Sequence, residues 1–290
     1  MIRGLIKTMR PRQWLKNGLV YAALFFDRKV IDLESFARTT AAFILLCMVS
    51  SAVYIMNDLA DIENDRQHPT KKTRPLAAGE LSPTLAIVVA IVLAIGGLAA
   101  GFILSPALGW ILLTYLVIQV AYTFYFKHVV LMDVILVASG FILRVGAGVA
   151  VISVQRFSPW LYVCTGLLAL LMALGRRRHE LSLLGLDAGN HRAILEEYTI
   201  DLIDRLIGIV AGAALVAYSL YTFMAEGLPE NNLMMLTIPF VLYGIFRYLY
   251  LIHVKHEGGA PEDIFIRDRP MQLALFFWAV VVFFVLYIFE

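Results

Sequence analysis

Residues 57–82 read NDLADIENDRQHPTKKTRPLAAGELS, and they close an apolar run of membrane length. On a continuous helix Asp58, Asp61 and Asp65 would stand at i, i+3 and i+7, so their carboxylates would share one face. Four basic residues follow: Arg66, Lys71, Lys72 and Arg74. Clustered carboxylates suit a hard, oxygen-seeking cation such as Mg²⁺, which keeps waters and binds substrate phosphates. Nearby Lys and Arg suit the phosphate oxygens. A charged loop between membrane helices is usually just solvated. The regular spacing, the basic partners and the place at a helix end favour a site for a metal-bound diphosphate at a membrane surface.

The chain around this stretch has 290 residues, of which 60% are hydrophobic, and a mean hydropathy of +0.79. That hydropathy excludes an ordinary soluble domain. A net charge of +2 gives no indication of nucleic acid. Cys47 and Cys164 lie in apolar runs and read as small buried side chains. The first apolar run follows RPRQWLKN and lacks a convincing small-residue cleavage site, so no cleavable signal peptide is expected.

Nine apolar segments can be drawn, over residues 13–27, 37–57, 83–104, 107–126, 132–152, 159–175, 203–224, 233–252 and 271–289. A hydrocarbon core of about 30 Å needs about 20 helical residues, so the first and sixth are short. The first carries Arg10, Arg12 and Lys16 beside Trp14, which suits an interfacial start. Ser82-Pro83, Ser105-Pro106 and Ser158-Pro159 each predict a Ser cap before a Pro at the first helical position, and Arg269-Pro270 opens the last run similarly. Pro239, inside the eighth run, predicts a kink. The expectation is one all-α polytopic domain, residues 1–290. Its two long loops lie four helices apart, as two four-helix units would place them, although no sequence repeat is evident.

Orientation follows from Lys and Arg. The N-terminal side would hold Arg3 to Lys16, Arg66 to Arg74, Lys127, Arg176 to Arg178, Arg192, Arg205, Lys255, Arg267 and Arg269; the other holds Arg28, Lys29, Arg38 and Arg156. The positive-inside rule makes the first side cytoplasmic, and nine spans then leave the C-terminus outside.

Three further places carry polar chemistry. The second long loop, residues 175–201, reads GRRRHELSLLGLDAGNHRAILEEYTID. In its Arg176–Arg178 cluster, Arg176 and Arg178 read equally as positive-inside anchoring. Glu180 stands with the cluster, and Asp187, His191, Arg192, Glu196 and Glu197 follow; the mixture with Glu180, His191 and Arg192 opposite the first loop favours a second half-site for phosphate and metal. The short loop YTFYFKHVVLMD, residues 122–133, puts Tyr122 and Lys127 at a helix end. Lys127 could snorkel or reach a phosphate. Arg144 lies in mid-span in LVASGFILRVGAGVA, where a charge is costly and faces a cavity or a partner. A structural ion pair within the bundle is the competing reading. Small neighbours from Ser139 to Gly148 allow close packing. Arg247, nearer its helix end, reads as structural.

These residues resemble a family. Asn57-Asp58-x-x-Asp61-x-x-x-Asp65, then Lys72-Thr73-Arg74-Pro75-Leu76-x-x-Gly79 and Ser82, is similar to the first aspartate-rich signature of the UbiA superfamily of membrane prenyltransferases. The resemblance covers essentially the whole chain. It implies nine transmembrane helices around a central cavity, a polar site capped by cytoplasmic loops, and Mg²⁺-dependent departure of pyrophosphate, with Mn²⁺ as a substitute. Arg10 to Asn17, Tyr122 to His128, Ser139-Gly140-Phe141 with Arg144, Arg177 to Leu181, and His191-Arg192 with Glu197-Tyr198-Thr199 resemble the decaprenyl-phosphate phosphoribosyltransferase branch. That branch implies phosphoribosyl pyrophosphate as donor and a polyprenyl phosphate as acceptor. A prenyltransferase would offer a second DxxxD run in the second loop, where this chain has Arg177, Glu180, Asp187 and His191. The departure favours a donor with an additional phosphate.

The resemblance therefore implies a phosphoribosyl transferase in the plasma membrane, with its N-terminus and site in the cytoplasm, feeding cell-envelope arabinan or a related glycan. Asp58, Asp61 and Asp65 would hold the metal and, with Lys127, act in catalysis. Lys16, Asn17, Asn57, Arg66, Lys72, Arg74, Tyr122, Arg144, Arg177, Glu180, His191 and Arg192 would bind substrate, and the bilayer would hold the lipid tail. An oligomer is compatible with this reading. The alternatives are prenyl transfer from a prenyl diphosphate to an aromatic or other acceptor, and a non-enzymatic lipid-phosphate carrier. A carrier would expose its site to both sides, whereas the polar residues here concentrate on one.

Overall fold

Among the described residues of the computed structural model (2–67, 71–155, 158–184, 193–229, 231–259 and 261–288) every regular element is a helix. The α-helices are α1 (Ile2–Met9), α2 (Tyr21–Phe26), α3 (Leu33–Ala60), α4 (Ile62–Gln67), α5 (Pro83–Leu104), α6 (Pro106–Phe124), α7 (Met132–Val149), α8 (Trp160–Leu184), α9 (Ile200–Met224), α10 (Ile238–His253), α11 (Pro261–Arg267) and α12 (Arg269–Tyr287). Short 3-10 helices cover Pro11–Val20, Lys71–Thr73, Phe126–His128, Ala193–Glu197 and Leu233–Thr237. Eight stretches are long and apolar enough to cross a membrane, and they correspond to the second through ninth expected spans. The chain is an all-α, multi-pass membrane protein.

The expected first span takes another form. Ten residues wind as a 3-10 helix and six as α2. At rises of about 2.0 and 1.5 Å per residue they extend about 20 and 9 Å, together close to membrane thickness. Polar side chains fasten this segment to α3: Trp14 Nε1 donates to Ser51 Oγ at 3.0 Å, and Asn17 Nδ2 to Ser50 Oγ at 3.1 Å.

Local chemistry explains the helix starts. Ser82 and Ser105 are N-caps by backbone, with Pro at the first turn, but neither hydroxyl makes the cap bond. The Ser105 hydroxyl donates instead to the Ala150 carbonyl at 2.8 Å. The acidic cap of α12 is Asp268, whose carboxylate accepts from Met271 N at 2.9 Å. Asp32 and Thr199 cap α3 and α9 in the same way. Pro239 does not kink a long helix. A 3-10 helix ends at Thr237 and Pro239 lies in the first turn of α10, where its missing N–H costs nothing. The expected sixth span continues well past residue 175, because no Gly or Pro interrupts RRRHELSLL and Arg176 and Arg177 both pair with Glu180 along the helix.

The chain forms two compact units. One comprises Met1–Lys127 with Gly140–Val154, the other His128–Ser139 with Gln155–Glu290. In the first, α3 is the central helix: 61% of its membrane window is buried, against 11% for α5, which is left for lipid. Val20, Leu46, Val49, Leu108, Leu112 and Ala147 form its core. Gly148 is obligatory there, since a Cβ would stand 2.0 Å from the Val20 carbonyl oxygen. In the second unit α8, α9 and α10 bury Leu171, Leu174, Ile203, Ile207, Leu251 and Ile252.

Candidate active site

α3 stops at Ala60, Asp61 is its C-cap (φ −102, ψ 13), and α4 begins at Ile62. The three aspartates therefore do not share a face of one continuous helix. Backbone bonds bridge the break, from Asp61 N to Asn57 O at 3.1 Å and from Asp65 N to Asp61 O at 2.8 Å. The break divides the carboxylates. Asp58 and Asp65, both buried, meet at Arg74, whose Nη1 lies 3.1 Å from Asp58 Oδ1 and 2.6 Å from Asp65 Oδ2. Asp61 turns to Lys127, with Nζ 2.7 Å from Oδ1.

Arg10, which composition alone suggested for the headgroup region, belongs here. Its Nη2 donates to Asp58 Oδ1 at 2.5 Å, and its guanidinium lies 5.1 Å from the Tyr54 ring centroid. Its backbone is left-handed at φ 55. For a non-glycine residue that conformation costs about 1–2 kcal/mol and often accompanies function. Asn57 Oδ1 accepts from the Thr123 hydroxyl, joining α3 to α6 beside Lys127. Contacts 48 and 66 residues apart in sequence make these partners invisible to local pattern.

The first unit thus interleaves three carboxylates with three cations. Among the described residues no three His, Cys, Asp or Glu side chains are gathered as ready cation ligands. The donor chemistry nevertheless fits a hard divalent ion: all three acidic groups are carboxylates, two are buried, and each is held by a cation that a metal could replace.

The remaining candidates lie elsewhere. Arg144 is buried in α7. It donates from Nε to Asn17 Oδ1 (2.8 Å), from Nη1 to the Gly140 carbonyl (2.6 Å) and from Nη2 to Tyr115 Oη (3.1 Å), and the Tyr115 and Phe141 rings flank it. Among the described residues, none of its hydrogen bonds goes to a carboxylate, unlike the expected alternative of an internal ion pair. Arg66 pairs with Glu63 at the surface at 2.7 Å, and Lys72 is exposed. Lys16 and Tyr122 are half-buried. Asp187, His191 and Arg192 lie outside the described residues.

In the second unit Arg177 is buried and committed: Nε donates to Asp133 Oδ2 at 2.6 Å and Nη1 to Glu180 Oε2. Asp133, fully buried, also accepts from Tyr198 Oη at 2.7 Å. That hydroxyl in turn accepts from Leu131 N at 2.7 Å. Burial, reinforced by the bond to Asp133, pushes the Tyr198 phenol above its ordinary range, so it remains a donor. Arg178 is held by Asp204 at 2.6 Å and by the Ile252 carbonyl at 3.0 Å. The sequence assigns no site role to Asp133, which reads as an ordinary helix-start acid, and places Tyr198 only within the Glu197-Tyr198-Thr199 resemblance.

Known proteins agree with this architecture. A family model described as the UbiA prenyltransferase family matches residues 18–180. The decaprenyl-phosphate phosphoribosyltransferase of Mycobacterium tuberculosis is 35% identical, over 96% of this chain and 92% of that protein. Its counterpart in Mycolicibacterium smegmatis is 34% identical, over 96% and 91%. A solved UbiA homolog from Archaeoglobus fulgidus, bound to GPP and Mg²⁺, matches with a TM-score of 0.74 and 18% identity, covering 98% of this chain and 100% of that one. At that identity the likeness is one of fold. The family model and the curated relatives together show that the chain belongs to the UbiA prenyltransferase family.

Proposed function

We propose that this protein transfers 5-phosphoribose from phosphoribosyl pyrophosphate to a polyprenyl phosphate and releases pyrophosphate. The C1–oxygen bond to pyrophosphate breaks, and a new bond forms between C1 and an oxygen of the lipid phosphate. The observation that carries the reading is the interleaving of Asp58, Asp61 and Asp65 with Arg10, Arg74 and Lys127. The names of the relatives, similar over nearly their whole length, support the substrates.

Asp58, Asp61 and Asp65 would hold Mg²⁺, which supplies positive charge to the departing pyrophosphate. Arg10, Arg74 and Lys127 exchange carboxylate oxygens for phosphate oxygens as the donor binds, so they neutralise the leaving group where its charge develops. The acceptor is an anionic phosphate monoester and needs little help from a base, so positioning carries much of the rate. Arg144, whose charge has only neutral partners, takes the donor's 5-phosphate. The site lies on the cytoplasmic side of the plasma membrane, and the product enters cell-envelope glycan synthesis.

Prenyl transfer from a prenyl diphosphate is the second reading, favoured by the family's own description. The test incubates purified protein with radiolabelled phosphoribosyl pyrophosphate, Mg²⁺ and several polyprenyl phosphates. Label should enter the lipid phase, vanish with EDTA and return with Mg²⁺ or Mn²⁺. Asp58→Ala, Asp61→Ala and Asp65→Ala should each lower turnover at least about a hundredfold. No labelled lipid, with vigorous use of a prenyl diphosphate, would overturn the assignment.

A further inference from the structure

The end of α3 away from the aspartates carries a second polar place, and all of it belongs to the first unit. α3 has 28 residues, so at about 1.5 Å per residue its two ends stand roughly 40 Å apart. Three other span ends meet it there. Arg38 Nε donates to the Val151 carbonyl at 2.7 Å, just past α7, and Nη2 to the Leu104 carbonyl at 3.2 Å, at the α5–α6 junction. Trp110, in the second turn of α6, is 62% exposed, as suits an aromatic at the membrane boundary. A cavity of about 310 Å³ opens at this level, lined by Asp32, Glu34, Ser35 and Arg38 and by residues 150–153.

The cavity carries both signs of charge. A guanidinium has five N–H donors. Among the described residues Arg38 has only its two carbonyl partners, and Nη1 has no hydrogen bond. Asp32 caps α3 through Oδ2, which accepts from Ser35 N at 3.1 Å, and this leaves Oδ1. Glu34 is exposed and stands four residues before Arg38, where a helical ion pair could form, yet Arg38 is turned to the carbonyls instead. Lys29 lies alongside, its Nζ 3.2 Å from Ser153 Oγ and 3.1 Å from Asp27 Oδ2. Few cations fall on this side of the chain, and two of them, Lys29 and Arg38, gather here.

We propose that this cavity binds the headgroup of a phospholipid that carries a primary ammonium, with the phosphodiester on Arg38 and the ammonium on Asp32 and Glu34. A phosphodiester bears one negative charge and matches one guanidinium. Two carboxylates beside that guanidinium disfavour a phosphate monoester, so the cavity is not a second place for the proposed acceptor. Ile31 and Leu33, 89% and 80% exposed, flank Asp32 and offer apolar surface to the rest of the lipid. An ammonium donates three hydrogen bonds, whereas a trimethylated one donates none, so the carboxylates discriminate between the two. The bound headgroup joins the start of α3 to the segment after α7. None of this depends on which reaction the aspartate end performs.

The test uses delipidated full-length protein in detergent with chain-matched phosphatidylethanolamine, phosphatidylcholine and phosphatidylglycerol, and reads lipid retention by native mass spectrometry. Wild type should hold phosphatidylethanolamine at least about tenfold more strongly than either other lipid, the scale of a charge-assisted hydrogen bond. Arg38→Gln should remove most of that retention. The double variant Asp32→Asn/Glu34→Gln should bring phosphatidylethanolamine to within about twofold of phosphatidylcholine, since Asn still caps α3 but neither residue keeps its charge. This variant also keeps the test open should Arg38→Gln, which gives up two carbonyl bonds, fold poorly. Equal retention of the three lipids by wild type, or an undiminished preference in the double variant, would overturn the proposal. Soluble phosphoethanolamine that displaces the lipid at equal concentration would overturn the lipid as occupant and assign the cavity to a free zwitterion.

Discussion

Arg74 lies between two buried carboxylates, where the proposed Mg²⁺ would stand, and Arg74→Met tests that placement. Its Nη1 contacts Asp65 Oδ2 at 2.6 Å and Asp58 Oδ1 at 3.1 Å. Removing one partner of a buried pair costs about 3–5 kcal/mol. The Arg74 side chain is 29% exposed, so some water returns and the lower end, about 3 kcal/mol, applies. At about 2–4 °C per kcal/mol, the metal-free variant in detergent should melt roughly 6–12 °C below wild type. Asp58 then keeps Arg10, while Asp65 loses the cation it shared with Asp58. Mg²⁺ should therefore bind the variant more tightly than wild type. At a hundredfold excess over Kd, binding stabilises by about 2.7 kcal/mol, enough to return most of the loss. Thermal scans at one rate, with EDTA and with a Mg²⁺ titration, read both quantities. Turnover should remain low even with Mg²⁺, because a phosphate partner is missing. Equal melting of the two proteins in EDTA, or equal shifts with Mg²⁺, would refute the idea that Arg74 stands in for a cation.

Other outcomes follow from single contacts. Arg144→Met should lower kcat/KM about ten- to a hundredfold through the donor KM, and Arg144→Lys should recover only part of it; wild-type donor affinity in Arg144→Met would contradict the 5-phosphate assignment. Cysteines placed at Lys72 and Asn231 should react with an impermeant reagent from opposite sides of the membrane, Lys72 from the cytoplasm; the reverse pattern would invert the orientation. The hydrogen bonds from Arg247 hold the Asp268 carboxyl below its ordinary value. Its stabilisation is then complete above about pH 4 and disappears as pH falls through the lowered folded value. Acid should consequently lower the melting temperature of wild type more than that of Asp268→Asn, which keeps a cap but has no charge to lose; parallel curves would count against it.

The membrane helices were legible because apolar length and Ser-Pro punctuation are local signals. Eight of the nine expected segments appear at nearly the expected places. The first did not read correctly as an α-helix, since its bonds to Ser50 and Ser51 belong to tertiary structure. The α8 extension was missed because Arg and Glu look like loop in a hydropathy profile, whereas they are good helix formers that also pair at i+3 and i+4. The aspartate cluster itself was legible, but its division was not. Helical spacing places Asp61 beside its neighbours only if the helix continues, and Asp61 is where it stops. No sequence window could assign Arg10 to Asp58 or Tyr198 to Leu131, because these contacts join distant segments.

The arginines on the membrane helices differ in what balances their charge. Arg177 has Asp133 and Glu180, Arg178 has Asp204, and Arg247 has Asp268. Each of these charges is balanced by a carboxylate, as are those of Arg10 and Arg74. Arg144 contrasts with them, its side chain fixed by Asn17, Gly140 and Tyr115, all neutral, at 5% exposure; Arg38 also has only neutral partners, the Val151 and Leu104 carbonyls, but is half-buried. Three hydrogen bonds and two aromatic faces orient the guanidinium, but they do not cancel its charge. A fold selected for stability alone would replace such a residue with a Leu or Met of similar volume. Retaining an oriented, uncancelled cation at that depth is advantageous when an anion comes to it, and the donor's 5-phosphate is the anion that the proposed reaction supplies. Replacing Arg144 with Met therefore separates the two uses of a buried arginine: a loss confined to the donor KM follows from a phosphate partner, whereas a loss of melting temperature alone follows from packing.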